Sequence, residues 1–567
     1  GEPTALVVTA GLRDVLRIGT QQRPDLFALD IRLPAMLYER VIEARERISA
    51  NGEIVEPLDE PRLADDLERL REDGIDSVAI AFLHGYRYPE HERRAGEIAR
   101  RLGFAQVSLS HETIAVQKLV PRGDTTLVDA YLSPVLRRYV ASVRAGLEAL
   151  LGEPAPLWFM QSHGGLARAD FFRGKDSILS GPAGGVIGMA ATARAAGFPR
   201  VLGFDMGGTS TDVSLYAGEL ERTSEAEVAG VRVAAPMLRI HTVAAGGGSI
   251  VAFRGGRLTV GPESAGARPG PACYRNGGPL TVTDANVLLG RIQPDFFPST
   301  FGARADEPID VDAVRRGFDA LAAEIADATG TPQRAEAIAE GAIRIAVERM
   351  ANAIRHISIE RGHDVTDFTL ASFGGAGGQH ACQVADALGI ETIFVHPLAG
   401  VLSAYGIGLA ELRALRRQGV EHPLDDGAPP ALAETFARLE HEARAELEAQ
   451  GASTSAIRAT ARAGVKVERS DTPLVVPWRS DATAAEIRAT FADAHAKHFG
   501  FAAEGPLLVE WIEVECSAKN DMPRGGDHAD PGSDGNIDPG MPALYGPLPE
   551  RARQGSRARS RHGWLHG

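Results

Sequence analysis

The run Gly203-Phe204-Asp205-Met206-Gly207-Gly208-Thr209-Ser210-Thr211-Asp212-Val213-Ser214 decides how this chain is read. An apolar strand delivers Asp205 to a turn, two glycines let a ligand approach the backbone, and hydroxyls follow. A second strand then leaves through Val213 to Tyr216. Such a hairpin aims several backbone N–H groups and hydroxyls at one place, which suits phosphate. Asp205 and Asp212 are the candidate catalytic residues. Asp205 is also the candidate ligand for Mg²⁺, directly or through water, because this hard ion takes oxygen ligands beside phosphates. Gly207, Gly208, Thr209, Ser210 and Thr211 become nucleotide-binding candidates. The alternative is a tight β-hairpin whose Asp and Thr only satisfy the turn. Two glycines alone are a weak signal, but Asp-x-Gly-Gly-Thr-x-Thr-Asp directly between two strands favours phosphate. A Walker A loop is excluded, since Gly174-Lys175 is followed by Asp176 rather than by Ser or Thr.

Downstream lies a second strand–turn–helix unit. Phe368 to Phe373 reads as a strand, Gly374-Gly375-Ala376-Gly377-Gly378 as a turn, and a helix runs through Leu388. The strand Thr392 to Val395 closes a βαβ unit. Gly374, Gly375, Gly377 and Gly378 let a base or ribose lie against backbone, whereas close helix–strand packing explains one glycine more easily than four. A third cluster holds His241 to Ser249, Gly261 to Gly266, Pro269 to Tyr274 and Thr283 to Asn286. It reads either as a shaped polar pocket or as a loop-rich insert. Its substrate-pocket candidates are His241, Gly247, Gly248, Glu263, Asp284 and Asn286, joined by His380, which is alternatively a hydrogen-bonded structural histidine. The glycines after Ser180 read either as an anion-facing helix N-terminus or as a packing turn.

Around these motifs the chain divides into 1–152, 153–410, 411–520 and 521–567. In the first part the amphipathic stretch 62–71 precedes the apolar run 76–83, the order of a parallel α/β sheet. A helix is predicted over 132–151 with Pro134 in its first turn. A new unit opens at 157–160, followed by His163-Gly164-Gly165. A long helix is predicted over 334–361, with Ala337, Ile338, Ala342, Ile345, Ala346 and Met350 on one face. The 411–520 segment reads as a C-terminal α+β domain, with a helix over 432–450 and strands near 464–468 and 507–514. The Asp-, Gly-, Pro- and then Arg-rich 521–567 is expected to be disordered and is given no function.

The composition narrows the classes. In 567 residues, 44% are hydrophobic and 24% charged, as in globular proteins with large cores. Lys and Arg number 60 against 75 Asp and Glu, a net charge of −15 that argues against nucleic acid as partner. No apolar run is long enough for a membrane span, so no membrane partner is expected. Cys273, Cys382 and Cys516 form no CxxC pair, which fits a reducing cytoplasm without a zinc or disulfide framework. Cys273 and Cys382 are either nucleophiles or inert buried thiols. There is no HExxH pair and no Gly-x-Ser-x-Gly elbow.

Taken together, several strings resemble the hydantoinase-A/5-oxoprolinase family. They are FDMGGTSTDVS (204–214), HTVAAGGGS (241–249), VGPESAGARPGPACYRNGGPLTVTDAN (260–286), RGHD (361–364) and FGGAGGQHAC (373–382). VPRGDTT (120–126) and DAYLSP (129–134) agree, and the resemblance covers roughly residues 1–515. It implies an α/β fold of the actin/sugar-kinase/Hsp70 type (ribonuclease H-like), with a C-terminal α+β domain. The hairpin would be its second phosphate loop and Gly374–Gly378 its adenosine-side motif.

The implied ligands are ATP and Mg²⁺, and the implied reaction is ATP-dependent hydrolysis of a cyclic amide. For 5-oxo-L-proline this gives L-glutamate, ADP and phosphate. A lactam carbonyl is a poor electrophile because its amide is resonance-stabilised. Transfer of a phosphoryl group to its oxygen makes an imidate-like phosphate that water can attack. An N-methylhydantoinase, another lactamase or an acetone-type carboxylase subunit would use the same chemistry. A non-catalytic nucleotide-binding subunit or an inactive fragment is the reading from another class. Family members open with a further Asp-x-Gly-Gly-Thr-type loop that is not found here, so roughly the first hundred residues are expected to be missing. They also work with a hydantoinase-B-like half, fused or as a subunit. An oligomer is therefore expected, and this chain alone is expected to be impaired.

Overall fold

Alternation along Val201–Met206 builds the centre of the molecule. This strand lies between Thr211–Tyr216, antiparallel to it, and Thr369–Phe373, parallel to it. Ile240–Val243 and Ile393–Phe394 complete the outer positions of a five-stranded sheet. Side chains on a strand alternate between faces, and the two faces meet different cores. Val201 packs with Met189 of helix Ser180–Ala195. Leu202, Phe204 and Met206 pack with Ile343, Met350 and Ile354 of helix Ala335–Ile359. The computed structural model of the chain describes residues 1–20, 27, 29, 30, 35–228, 230–359 and 362–519. The expected disorder at 521–567, and Arg361 of RGHD, lie outside these residues.

Helix Ala335–Ile359 differs in detail from its reading in the sequence. Ala337 is exposed and Ile345 half-buried, while Ala339, Ile343 and Val347 are buried. The helix is enclosed over a wider arc than one stripe because the sheet, helix Val311–Thr329 and helix Ala381–Leu388 all pack on it.

The N-terminal region forms a second sheet of four parallel strands, ordered Arg40–Ala44, Thr4–Thr9, Ser77–Ala81 and Gln106–Leu109. Helix Glu60–Glu72 presents Leu63, Leu67 and Leu70 to its core. The predicted helix 132–151 is in fact Leu119–Leu151, so Pro134 sits in its interior. Proline cannot donate to the carbonyl four residues back, and here that carbonyl, of Ala130, accepts instead from Ser77 Oγ at 2.6 Å. The VPRGDTT run is the start of this helix. Its Arg122 is fully buried and ion-paired with Glu92 at 3.3 Å. Arg122 also donates to Ser110 and to the carbonyls of Phe82 and Leu83.

A third sheet of six strands carries the C-terminal region. Leu412–Pro423, Arg458–Val467, Leu474–Trp478 and Leu507–Ala518 form most of it. Trp158–Met160 and Leu166–Arg168 join its edge through Leu166 and Leu412. Helices Ala428–Ala449 and Ala484–Phe499 contribute Leu432, Phe436, Ile487 and Phe491 to its core.

Candidate active site

Asp205 and Asp212 are register partners across the Val201–Met206/Thr211–Tyr216 hairpin. Directly opposed residues point to the same face, and this is the face of helix Ser180–Ala195. A side-chain carbon on Gly185 of that helix would lie 3.2 Å from Asp205 Oδ2. Burial, and then the neighbouring Asp212 charge, push the Asp205 carboxyl up to about 6 against a hydrogen bond from Ser403. Burial also raises Asp212, opposed by the hydroxyl of Thr242, which donates to Asp212 Oδ1 at 2.5 Å. Two half-buried carboxylates, both raised by burial and Asp205 also by the Asp212 charge, form a site that a cation would relieve.

The turn beyond them is shaped by other glycines. Gly207 N–H donates to Ser210 at 3.0 Å, while Gly247 and Gly248 donate to the carbonyls of Gly207 and Gly208 at 3.1 and 2.5 Å. Gly246 and Gly248 come so close that a side-chain carbon would meet Thr209 and Ser210 backbone and the Gly208 carbonyl. With its carbonyls engaged in this way, the turn keeps the N–H groups of Gly208, Thr209 and Ser210 without an acceptor among the described residues. These three donors sit at the exposed tip beside the carboxylates.

The loop 374–378 abuts the same strand end. Ala376 N–H donates to the Met206 carbonyl at 2.9 Å. Gly374 has φ +82°, and any side chain there would run into the Asp205 carboxylate and the Met206 carbonyl. Gly377 is pressed on Ser372. Gly208, Gly375 and Gly378 behave differently: a side-chain carbon on them meets nothing within 4 Å, and none has a positive φ. Neither packing nor backbone conformation requires glycine at these three positions, and the bare backbone there leaves room for a ligand to lie against it.

Several candidates take other roles. Thr211 is buried and its hydroxyl donates to the Ala245 carbonyl at 2.5 Å, so it braces the turn from behind. His241 pairs with Val213, one register step from Asp212. It therefore faces the opposite side of the sheet, where its ring lies 5.3 Å from that of His356. Glu263 is exposed and ion-paired with Arg254 at 2.9 Å. Asp284 is fully buried and accepts from Ala272, Cys273 and Thr281, capping helix Val282–Leu288 in a capping box. Its carboxylate is engaged in holding that loop rather than turned to a ligand.

Asn286 and His380 are buried together behind the glycine loop. Asn286 Nδ2 donates to His380 Nε2 at 3.1 Å and to Gln379 at 2.9 Å. Asn286 Oδ1, His380 Nδ1 and Ser372 Oγ have no partner among the described residues. Burial holds His380 down at about 4, so it is neutral near pH 7. The glycines after Ser180 serve packing: Gly184 and Gly188 press on Ser403 and Leu402 carbonyls of helix Leu402–Leu409. Cys273 is buried, its thiol pushed far up by burial and Asp284, which makes it a poor nucleophile.

Ser403 and Thr242, the two hydroxyls on the aspartates, were not singled out in the sequence. Ser403 carries no local signal. Thr242 does: strand alternation places it, not His241, on the Asp212 face.

The donor set fits a hard divalent cation. Asp205 and Asp212 offer oxygen only, and among the described residues no group of three or more His, Cys, Asp or Glu converges to complete a cage. Mg²⁺ is held in this way, by one or two carboxylates with phosphate and water as the other ligands.

The sequence pattern of the hydantoinase/oxoprolinase family matches residues 122–416, and that of the hydantoinase/oxoprolinase N-terminal region matches 1–103. The chain belongs to the hydantoinase/oxoprolinase family. It is 40% identical to the 5-oxoprolinase of Saccharomyces cerevisiae over 554 residues, covering 92% of this chain and 43% of that protein. The chain thus spans less than half the length of this relative. The crystal structure of ATP-dependent caprolactamase from Pseudomonas jessenii superposes with a TM-score of 0.79 at 29% identity, over 92% of this chain and 76% of that one. The nucleotide-free structure of acetone carboxylase shares the fold, with a TM-score of 0.71 at 24% identity over 92% and 77% of the two chains. Among the described residues of this hydantoinase/oxoprolinase chain, no helix is long and apolar enough to cross a membrane.

Proposed function

We propose that the chain is the ATP-handling part of an enzyme that hydrolyses a cyclic amide, with 5-oxo-L-proline as its substrate. The observation that carries this reading is the opposed pair Asp205 and Asp212 beside three N–H groups that have no acceptor among the described residues. The choice of substrate is supported by 40% identity to named 5-oxoprolinases of yeast and Arabidopsis thaliana across nine tenths of this chain. A second reading, a different lactam, is favoured by the caprolactamase likeness, at 35% identity over 75% of the chain for the Pseudomonas jessenii subunit alpha.

The strand order Ile240–Val243, Thr211–Tyr216, Val201–Met206, Thr369–Phe373, Ile393–Phe394, with only the second strand reversed against its neighbours, supports an actin/sugar-kinase/Hsp70-type nucleotide domain. In that domain Gly208, Thr209 and Ser210 would donate to phosphate oxygens, and Gly375 and Gly378 would lie under the nucleoside. Asp205 and Asp212 would hold Mg²⁺. Mg-ATP supplies the phosphoryl group that activates the lactam carbonyl. For the chain's own part, the ionised carboxylates position the cation, and the fixed N–H dipoles stabilise charge without reorganising. Ser403 and Thr242 keep the two carboxylates in place. The partner in this reading is a hydantoinase-B-like half, the assembly is an oligomer, and its setting is the cytoplasm, where free Cys273, Cys382 and Cys516 stay reduced.

The test is ADP release by the chain combined with a hydantoinase-B-like partner, using 5-oxoproline, hydantoins, caprolactam and acetone as separate substrates. Stimulation by 5-oxoproline above the others supports the reading. Stimulation by caprolactam or a hydantoin alone moves it to the second. Mg-ATP binding without turnover on any of them leaves a nucleotide-binding subunit.

A further inference from the structure

Helix Val282–Leu288 is bonded to both loops of the proposed nucleotide site. Thr283, in its first turn, donates to the Gly247 carbonyl from its N–H at 2.7 Å and from its hydroxyl at 2.9 Å. Gly247 N–H donates in turn to the Gly207 carbonyl of the phosphate turn. The contact is tight, since a side-chain carbon on Gly247 would lie 2.7 Å from the Thr283 hydroxyl oxygen. Asn286 is three residues on, and residues at this spacing share a helix face. Its Nδ2 donates to Gln379 Oε1 at 2.9 Å and to His380 Nε2 at 3.1 Å. Gln379 ends the short turn Gly377–Gln379, directly after Gly378. One short helix therefore ties the turn at Gly207 to the loop at Gly378.

The orientation of these amides follows from what would be lost by turning them over. As placed, the Asn286 nitrogen has two acceptors, and its fully buried oxygen has no partner among the described residues. Turned over, Asn286 would bury two N–H groups without an acceptor, which costs more than one under-used carbonyl. His380 agrees. Burial, then the Arg291 charge, keeps it neutral near pH 7, so Nε2 accepts while Nδ1 carries the proton. Gln379 thus gives its oxygen to Asn286. Its amide nitrogen keeps both hydrogens without an acceptor among the described residues and, on this half-buried residue, stays open to solvent. Next to it is Gly378, exposed and with nothing within 4 Å of an added side-chain carbon.

We propose that Gln379 is a specificity-determining residue of the nucleotide site, whose amide N–H groups donate to a ribose oxygen or base nitrogen of the nucleoside. Asn286 and His380 are positioning residues that hold this amide. The inference deepens the nucleotide reading above and rests on it. A surface glutamine ordinarily loses rotamer freedom when it binds a ligand. Here Asn286 has already fixed the amide, so the donor is preorganised. Because the turn at Gly207 meets only phosphate, the Gln379 amide is what tells a nucleotide from its phosphate tail.

The experiment is calorimetry on the full chain with Mg-ATP and with Mg-tripolyphosphate, which has the phosphate tail and no nucleoside. Gln379→Ala should bind Mg-ATP at least tenfold more weakly and Mg-tripolyphosphate within twofold of the unaltered chain. Gln379→Glu keeps an oxygen for Asn286 and removes only the donors. Its added charge acts on both probes, so the ratio of the two affinities is read, and that ratio should fall at least tenfold. A merely structural role would leave the ratio intact. Asn286→Ala should lower the ratio alone, and by less than twofold further in the Gln379→Ala chain. Circular dichroism checks each fold, and the Gln379 variants decide the proposal by themselves. Undiminished Mg-ATP binding by Gln379→Ala overturns it, and so does an equal loss for both probes. Failure of the unaltered chain to bind Mg-ATP counts against the nucleotide reading itself, whereas binding that the variants leave unmoved counts only against Gln379.

Discussion

Asp205 and Asp212 face each other from adjacent antiparallel strands, and the position of each is set by a hydroxyl from a different element, Ser403 and Thr242. A cation binds this pair only when both are ionised. With Asp205 at about 6, Mg²⁺-dependent nucleotide binding should strengthen between about pH 5 and 7 and level off above. Asp205→Asn should weaken binding and flatten that dependence, as read by calorimetry at several pH values. The sign for unliganded stability is the reverse. A folded pKa above the unfolded value of about 3.9 gives a contribution that is full below that value and lost as pH rises through about 6.

The glycines separate into two classes that mutation can distinguish. Gly375→Ala and Gly378→Ala add a carbon to open space, so stability should change by no more than about 0.5 kcal/mol while Mg-ATP affinity falls severalfold. Gly374→Ala forces a positive φ and a collision with Asp205, so a loss of about 1–3 kcal/mol is expected in urea unfolding. Equal effects at all three positions would contradict the division.

Arg122 and Glu92 form a buried pair, and removal of one partner leaves an uncompensated charge. Arg122→Ala should cost about 3–5 kcal/mol in stability. Burial pushes the Glu92 carboxyl up, but His111, Arg122 and Ser110 together hold it below its ordinary value. Its contribution is thus present above the unfolded pKa and lost as pH falls through the folded one. Acid unfolding should begin in this region, measured by protection of the Phe82 and Leu83 amides.

Ser77→Ala isolates the device that lets Pro134 sit inside a helix. It leaves the Ala130 carbonyl unpaired, and a loss of about 1–3 kcal/mol is expected in thermal or urea unfolding. Restoring the donor with Pro134→Ala in the same chain should recover much of it.

The hairpin was legible because everything that defines it is local: an apolar strand, a Gly-Gly turn and a returning strand within twelve residues. The βαβ unit around Gly374–Gly378 was legible for the same reason. What the sequence misled on was facing and reach. His241 and Thr242 are neighbours, and only the pairing with Val213 and Asp212 decides which reaches the aspartates. Asp284 looked like a ligand, yet its spacing from Thr281 is that of a capping box and it ties down the Cys273 loop. Pro134 looked like a helix start because its compensating hydroxyl is on Ser77, in a different strand. Ser403 arrives at Asp205 from a helix almost two hundred residues away, which no local pattern reveals.

The central claim is that the turn from Gly207 to Ser210 and the loop from Gly374 to Gly378 hold one nucleotide between them. Titration of the chain with Mg-ATP, followed by amide hydrogen exchange, tests it most directly. One nucleotide per chain is expected, with slowed exchange at Gly208, Thr209 and Ser210 and around Gly375, and loss of both effects in Asp205→Ala. Saturable binding that leaves exchange at the turn unchanged, or that survives unaltered in Asp205→Ala, would contradict it.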